Sequence, residues 1–422
     1  MNRALAWGEA HAGRLLAALI ALTIAVRLLA WLVLQPAVES DELSYFLMAQ
    51  AMAQGAAPVD EFGQHAFFSV GYPLVLAPAF ALLGATPFVG ILVNLLLAGL
   101  SAWLTHAIAR RLGLSTPWRL LAVLGFALWV PGIWNGAHLA RENLSTPMLL
   151  AVAWLALTML DGRSLGWKAL LCGLAYGLGV LAGGSAILLV GVPALALLLV
   201  WWRKGDKIVT PALALCLGTA LCIAPWAYAT QRMVGKPVLN TNGGFNLYLG
   251  NNPAATGRFV SIADTPMGDD WEQLRVERGE VGASRELGAL AKQHMIDHPV
   301  ETLTLSAKRL ALFWAPNVPS AQDVDGSRAM LAIRSVEVLQ YLLLLALGLV
   351  GAFSRRMASD AALVIAATIL GFWAIHGITY NIVRYRDPVM PVVIVLASVG
   401  LRDLIARFRQ FRWETPRAAT AD

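Results

Sequence analysis

Leu15–Leu34 reads LLAALIALTIAVRLLAWLVL, and four residues further on the chain continues Glu39-Ser40-Asp41-Glu42-Leu43-Ser44-Tyr45. The first stretch has the roughly 20 apolar residues that a helix rising 1.5 Å per residue needs to cross hydrocarbon. The second places three carboxylates within four residues. Acids are costly near lipid tails, so this cluster belongs in water just beyond the first span. A carboxylate cluster at a membrane edge suits an enzyme that works on a lipid-borne substrate.

The whole composition agrees. Hydrophobic residues make up 58% of 422 residues and charged residues only 14%, with a mean hydropathy of +0.63. A soluble chain of this length has no way to hide that much apolar surface. The net charge of +6 does not point to nucleic acid, because the basic residues sit in short loops between apolar runs and form no single patch. Cys172, Cys216 and Cys222 all lie inside apolar runs, which argues against a disulfide framework and against metal ligation. The N-terminal run is too long for the core of a signal peptide and reads as an anchor.

About ten runs satisfy the length rule for a span, at approximately 14–34, 87–110, 118–134, 143–160, 167–182, 185–202, 208–229, 332–353, 360–380 and 388–404. Lys and Arg gather in alternate loops: Arg110, Arg111 and Arg119; Arg163 and Lys168; Arg203, Lys204 and Lys207; Arg355 and Arg356; and the tail from Arg402 to Arg417. With Arg3 and Arg14 they fall on one side, which the positive-inside bias makes cytoplasmic. Gly71–Gly84 and Leu303–Pro316 are too short to span comfortably and read as interfacial, jaw-like helices. The expected fold is thus an all-α polytopic membrane protein of about ten transmembrane helices, with a periplasmic loop region before the last three spans.

Residues 1–229 would form an N-terminal transmembrane catalytic module that includes the first periplasmic loop, 35–86. A periplasmic region at 230–330, C-terminal helices at 331–405 and a cytoplasmic tail at 406–422 would follow. From about Glu414 the composition is that of a disordered end. The expected location is the inner (plasma) membrane of a bacterium, crossed many times, with the active site facing the periplasm.

The outer loops hold the residues fit for chemistry. Ser40 is placed to cap a short helix whose first turn contains Asp41, where the helix dipole favours an ionised carboxylate. Such an Asp can take a proton from an acceptor hydroxyl or amine; the plainer reading is an acidic helix start held in water. Tyr45 shares the helical face of Asp41, and Glu42 points elsewhere. Gly71-Tyr72-Pro73 opens the first interfacial helix. Glu142, in Arg141-Glu142-Asn143, either completes a helix start or is a second acid facing the cavity of Asp41. His138 is either solvated or a hydrogen-bond partner for substrate.

The segment from Asn240 to Pro253 is dense in Asn and Gly, including Asn246 and Asn251. Amides bind sugar hydroxyls or cap turns, and both readings stay open. Asn381-Ile-Val-Arg384-Tyr385-Arg386-Asp387-Pro388 puts two arginines on the outer side, against the topology bias. Guanidinium groups suit phosphate, or snorkel to headgroups. Arg27 lies inside the first span and should face a partner or a cavity. His294 and His298 have the spacing of zinc ligands, but no Glu follows the first His. Asp323-Val-Asp325 looks like a nucleotide-sugar motif without the domain that such a motif needs.

In order along the chain these motifs resemble the GT-C superfamily of glycosyltransferases, in particular bacterial relatives of protein O-mannosyltransferases and of the aminoarabinose transferase that modifies lipid A. The resemblance rests on Asp41-Glu42 with Tyr45 after the first span, Gly71-Tyr72-Pro73, Glu142 opening a later span, Gly243-Gly244-Phe245-Asn246-Leu247 with Gly250-Asn251-Asn252-Pro253, and Arg384-Tyr385-Arg386 before the final span. It implies inverting transfer of a sugar from a polyprenyl-phosphate donor to a lipid, glycan or protein acceptor. Asp41 is then the general base, assisted by Glu42. Tyr45, Tyr72, His138, Arg141, Glu142, Asn246, Asn251, Arg384, Tyr385 and Arg386 form the substrate site. No cofactor or metal ligand is implied, though a divalent cation is compatible. The partners would be membrane lipids and these substrates, with no nucleic acid.

The chain departs from the family at two places. Leu181-Ala-Gly-Gly184-Ser185 stands where an Arg-Pro pair is common, and no Arg-Asn pair follows Pro225-Trp226. Arg384, Arg386 and Lys236 are then left to hold the phosphate. The alternative class is a transporter or flippase of a lipid-linked glycan, which would place charges or broken helices nearer the midplane.

Overall fold

The computed structural model describes residues 9–318 and 328–414. Arg3, Asp323-Val-Asp325, Arg417 and the C-terminal end expected to be disordered lie outside the described residues. Among the described residues all regular structure is helical, apart from one isolated parallel bridge between Arg258 and Asn381.

The chain starts with α1 (Ala12–Leu34), α2 (Asp41–Ala53), α3 (Gly71–Leu83) and α4 (Pro87–Arg111). It continues through α5 (Thr116–Ala127), α6 (Val130–Gly136), α7 (Glu142–Met159), α8 (Leu165–Ala182), α9 (Gly191–Lys204) and α10 (Val209–Val234). The loop region contains α11 (Gly243–Gly250), α12 (Asp270–Asp297) and α13 (Pro299–Phe313). The last helices are α14 (Arg328–Ala352), α15 (Ser359–Ala374) and α16 (Met390–Glu414).

Among the described residues, eight helical segments are long and apolar enough to cross a membrane, and α5 with α6, bent by 56° at their junction, are so only when taken together. The chain is a multi-pass helical membrane protein. The tenth expected run, 143–160, is α7. It opens with Glu142 and Asn143 and buries Leu149, Leu150, Ala153 and Ala156 in the main core cluster. A helix wrapped by protein does not need the unbroken apolar surface that lipid demands. Of the two short apolar stretches, Gly71–Gly84 is the 13-residue helix α3, with Tyr72, Leu76 and Phe80 buried, and Leu303–Pro316 lies largely in α13.

Small residues set how closely the spans approach. Gly173 and Gly177 on α8 face α10, and a Cβ on Gly173 would overlap the Leu215 carbonyl. Gly351 on α14 and Gly400 on α16 make the same kind of backbone approach. Lipid supplies no hydrophobic drive between helices, so close van der Waals packing of this sort holds them together.

The bend between α5 and α6 accounts for Arg27. Breaking a span frees carbonyls that lipid cannot satisfy. Arg27 is 2% exposed, and its guanidinium donates to the carbonyls of Phe126 and Ala127, each at 3.4 Å, and of Thr23 at 3.1 Å. It also stacks 4.9 Å above the Phe126 ring.

At one end of the bundle, ion pairs tie neighbouring loops together. Arg111 meets Asp161 at 2.7 Å, Arg203 meets Asp360 at 2.8 Å and Arg356 meets Asp403 at 3.9 Å. The basic loops of shared parity therefore come together as their Lys/Arg content predicts.

Candidate active site

The opposite end gathers residues from three distant parts of the sequence. Asp41 opens α2 and Glu142 opens α7, both in first turns. Arg384 belongs to the 3-10 segment Val383–Val389 that leads into α16. Ser40 does not form the expected cap. Its φ is 53° and its side chain makes no capping hydrogen bond, so the strained residue turns the chain into α2 without capping it.

Arg384 is the centre of the cluster. Its Nη2 donates to Asp41 Oδ2 at 2.5 Å, and its Nε lies 3.7 Å from Glu142 Oε1. Arg141 Nε lies 3.8 Å from the same Glu142 oxygen. The charges thus alternate along Asp41, Arg384, Glu142 and Arg141. The Glu142 side chain is only 5% exposed, whereas those of Asp41 and Arg384 are 34% and 39% exposed. Glu142 is a fixed buried counter-charge, while the outer pair is open to an incoming ligand.

Glu42 points away from Asp41. Its Oε2 accepts the Leu139 N–H at 3.0 Å, and burial holds its carboxyl above the usual carboxylate range, against the pull of His138 and this N–H. His138 stacks on Trp134 with ring centroids 4.6 Å apart, and its Nδ1 lies 2.9 Å from the Trp134 carbonyl.

Several expected site residues have structural work. Tyr45 is buried edge-to-face against Phe68 and Tyr72. The Tyr72 hydroxyl donates to Asn94 Oδ1 at 2.7 Å, and Asn94 Nδ2 in turn donates to the His138 carbonyl at 2.8 Å. Tyr72 therefore braces the loop behind the site and offers no free hydroxyl. Asn251 is also a brace: its amide donates to the carbonyls of Leu247 and Ile378, both at 2.9 Å. Arg386, expected beside Arg384, faces away from Asp41. It is 1% exposed, donates to the Ala315 carbonyl and sits 3.9 Å over the Tyr341 ring. The tight 3-10 turn sends side chains two positions apart in different directions.

Two cavities adjoin the charged cluster. One, of about 250 Å³, is lined by Glu42, Trp134, His138, Asn317, Glu337 and Arg384. The other, of about 210 Å³, is lined by Arg141, Asn240, Asn242, Asn246, Tyr380 and Tyr385. Asn246 Oδ1 accepts the Tyr380 hydroxyl at 3.0 Å, and Arg141 lies 5.7 Å from the Tyr385 ring.

Arg309 is the residue that sequence reading misses. It is fully buried on α13 and bonds the carbonyls of Gly250, Gly377 and Ile378 and the Asn251 side chain. It clasps the two segments that wall the second cavity. No motif marks it; only its place on a short apolar helix could have singled it out. Lys236, offered by the sequence as a phosphate holder, lines neither cavity. Among the described residues, no three His, Cys, Asp or Glu side chains converge as a metal site. His294 and His298 pack ring to ring at 4.6 Å.

No family model and no curated protein matches the chain. Solved structures do. The oligosaccharyltransferase AglB from Archaeoglobus fulgidus, in complex with an inhibitory peptide and a dolichol-phosphate, superposes with a TM-score of 0.54 at 13% identity, over 99% of this chain and 53% of that one. ArnT from Cupriavidus metallidurans, bound to undecaprenyl phosphate, gives a TM-score of 0.54 at 15% identity, over 93% of this chain and 62% of that one. The chain thus spans between about half and two thirds of the length of these proteins. Over that length it shares the polytopic helical fold of these two proteins.

Proposed function

We propose that the protein is a glycosyltransferase that moves a sugar from a polyprenyl-phosphate donor to a hydroxyl on a lipid, glycan or protein acceptor. The observation that carries this reading is the open Asp41–Arg384 pair backed by buried Glu142. Two proteins of the same fold were solved with lipid phosphates, dolichol-phosphate in AglB and undecaprenyl phosphate in ArnT, which supports the donor class.

The chemistry uses the cluster in two halves. The acceptor oxygen attacks the anomeric carbon from the face opposite the lipid phosphate. As the new C–O bond forms, the bond to the phosphate oxygen breaks, and the sugar's configuration inverts. Asp41 takes the acceptor proton. The departing phosphate keeps the bonding electron pair, and the Arg384 guanidinium stabilises its charge. Glu142 holds Arg384 in place from the buried side.

Before donor binds, Arg384 neutralises Asp41. An incoming phosphate competes for the same guanidinium, so donor binding frees the Asp41 carboxylate to act as base. Arg384 supplies the positive charge that a divalent cation would otherwise bring to the leaving phosphate, so chelation should leave turnover within about twofold. The site would face the periplasm from the inner membrane, with the Arg-rich loops on the cytoplasmic side.

A transfer assay tests the reading with purified protein in lipid nanodiscs and an undecaprenyl-phosphate hexose donor. Release of free undecaprenyl phosphate marks transfer, whereas a flippase would relocate the donor intact. Asp41→Asn should lower kcat by about 10²–10⁴-fold, the usual contribution of a positioned base. Unchanged turnover would remove Asp41 from the mechanism.

A further inference from the structure

The second cavity differs in chemistry from the first. The first mixes the acids Glu42, Glu337 and Asp387 with Arg334 and Arg384. The second presents the amides of Asn240, Asn242 and Asn246 and the phenols of Tyr380 and Tyr385, and its one charged side chain is Arg141. Among the described residues no carboxylate lines it. Amides both donate and accept, which suits vicinal hydroxyls that do the same. Phenol rings offer flat apolar surface to the C–H face of a pyranose. A guanidinium in the wall repels a nearby ammonium group and accepts a neutral or anionic one.

The walls are also fixed before any ligand arrives. Arg309 ties Gly250 and Asn251 to Gly377 and Ile378. The Asn381 N–H donates to the Gly257 carbonyl at 3.0 Å, and the Asn381 amide donates to the Arg309 carbonyl at 3.3 Å. A pocket held this way spends little binding energy on ordering itself. Its wall residue Arg141 is the last member of the row of charges that runs through Glu142 and Arg384 to Asp41, which connects the cavity to the base without bringing Asp41 into its lining.

We infer that this cavity binds a sugar ring that carries no ammonium group, an assignment that rests on the transferase reading for its place in the reaction. That ring is either the sugar of the donor or the terminal sugar of a glycan acceptor, and the shared chemistry is a neutral or acidic polyol.

The test has a binding arm and a kinetic arm, both on the full chain in nanodiscs. Saturation-transfer NMR with methyl hexosides reads occupancy without turnover. Signal should transfer to a neutral methyl hexoside, fall at least fivefold for an amino-pentose glycoside, and be lost in Asn242→Ala/Asn246→Ala. In the transfer assay, the same double variant should raise one KM about tenfold while leaving kcat within about threefold, the scale expected when a pocket loses hydrogen bonds to hydroxyls. A rise in donor KM places the donor sugar there, and a rise in acceptor KM places the acceptor sugar there. Equal or stronger transfer to the ammonium sugar, or hexoside binding that survives the double substitution, overturns the inference. Wild type that binds the hexoside yet transfers nothing would leave the cavity assigned and refute the transferase reading instead.

Discussion

Arginine–carboxylate pairs occur at both ends of the bundle, and their settings differ. At the Arg-rich end, Arg111–Asp161 and Arg203–Asp360 join one loop to the next, with side chains 30% and 47%, and 46% and 26% exposed. Pairs of this kind contribute about 0–1 kcal/mol each. At the other end, Arg384 lies between Asp41, which is open, and Glu142, which is buried; Arg384 lines one cavity and Arg141, at the end of the same row of charges, lines the other. There the geometry keeps one acid fixed and leaves the other exchangeable. The same functional groups thus serve as staples in one place and as machinery in the other, and burial of the third partner makes the difference.

Substitutions can break that contrast, and the expected effects fall in a clear order. After Asp41→Asn, the largest loss should come from Arg384→Gln. Removing a positioned donor from a developing oxyanion costs about 10²–10³ in kcat. A single-turnover assay checks this, and a change below about threefold would make Arg384 another staple. Arg27→Met should follow, as a stability effect without specific loss of chemistry. It strands the Ala127 carbonyl inside the bundle, while the Phe126 carbonyl keeps the Trp129 N–H at 3.3 Å, so the cost is about 1–3 kcal/mol, measurable as a lower melting midpoint in detergent.

Glu42→Gln should be milder still. Burial raises the Glu42 carboxyl, so the folded protein releases that proton at higher pH than the unfolded chain does. Stability linked to Glu42 is therefore lost as pH rises through the ordinary carboxylate range towards the raised value. Glu42→Gln should flatten that slope in a melting series against pH while keeping turnover within about tenfold. The smallest effect belongs to the staples: Arg203→Ala should shift stability by less than about 1 kcal/mol and leave transfer unchanged.

The comparison also explains what could be read from the sequence. Span positions, loop parity and the acidic start of α2 follow from composition and length, because lipid imposes those on any chain. Asp41, Glu142 and Arg384 were legible as charges out of place. Their meeting was not, since each lies more than 100 residues from the other two and spacing gives no distance. The two arginines of the Arg384-Tyr385-Arg386 motif looked alike in sequence, and only the 3-10 turn shows that Arg384 enters the cavity while Arg386 packs on Tyr341. Arg27 was expected to face a partner, but which partner was not legible, and Arg309 escaped altogether, for a shared reason. Each serves carbonyls, freed by a bend in one case and by irregular loops in the other, and no sequence pattern announces a carbonyl in need of a donor.

The exchange of Arg384 between Asp41 and the lipid phosphate is open to one direct measurement. The dissociation constant of undecaprenyl phosphate can be measured in nanodiscs for wild type, Asp41→Asn, Arg384→Gln and the double variant. Asp41→Asn should bind about tenfold more tightly than wild type, Arg384→Gln more weakly, and the gain from Asp41→Asn should vanish once Arg384 is gone. Equal affinities for wild type and Asp41→Asn, or a gain that persists without Arg384, would contradict a guanidinium shared between base and phosphate.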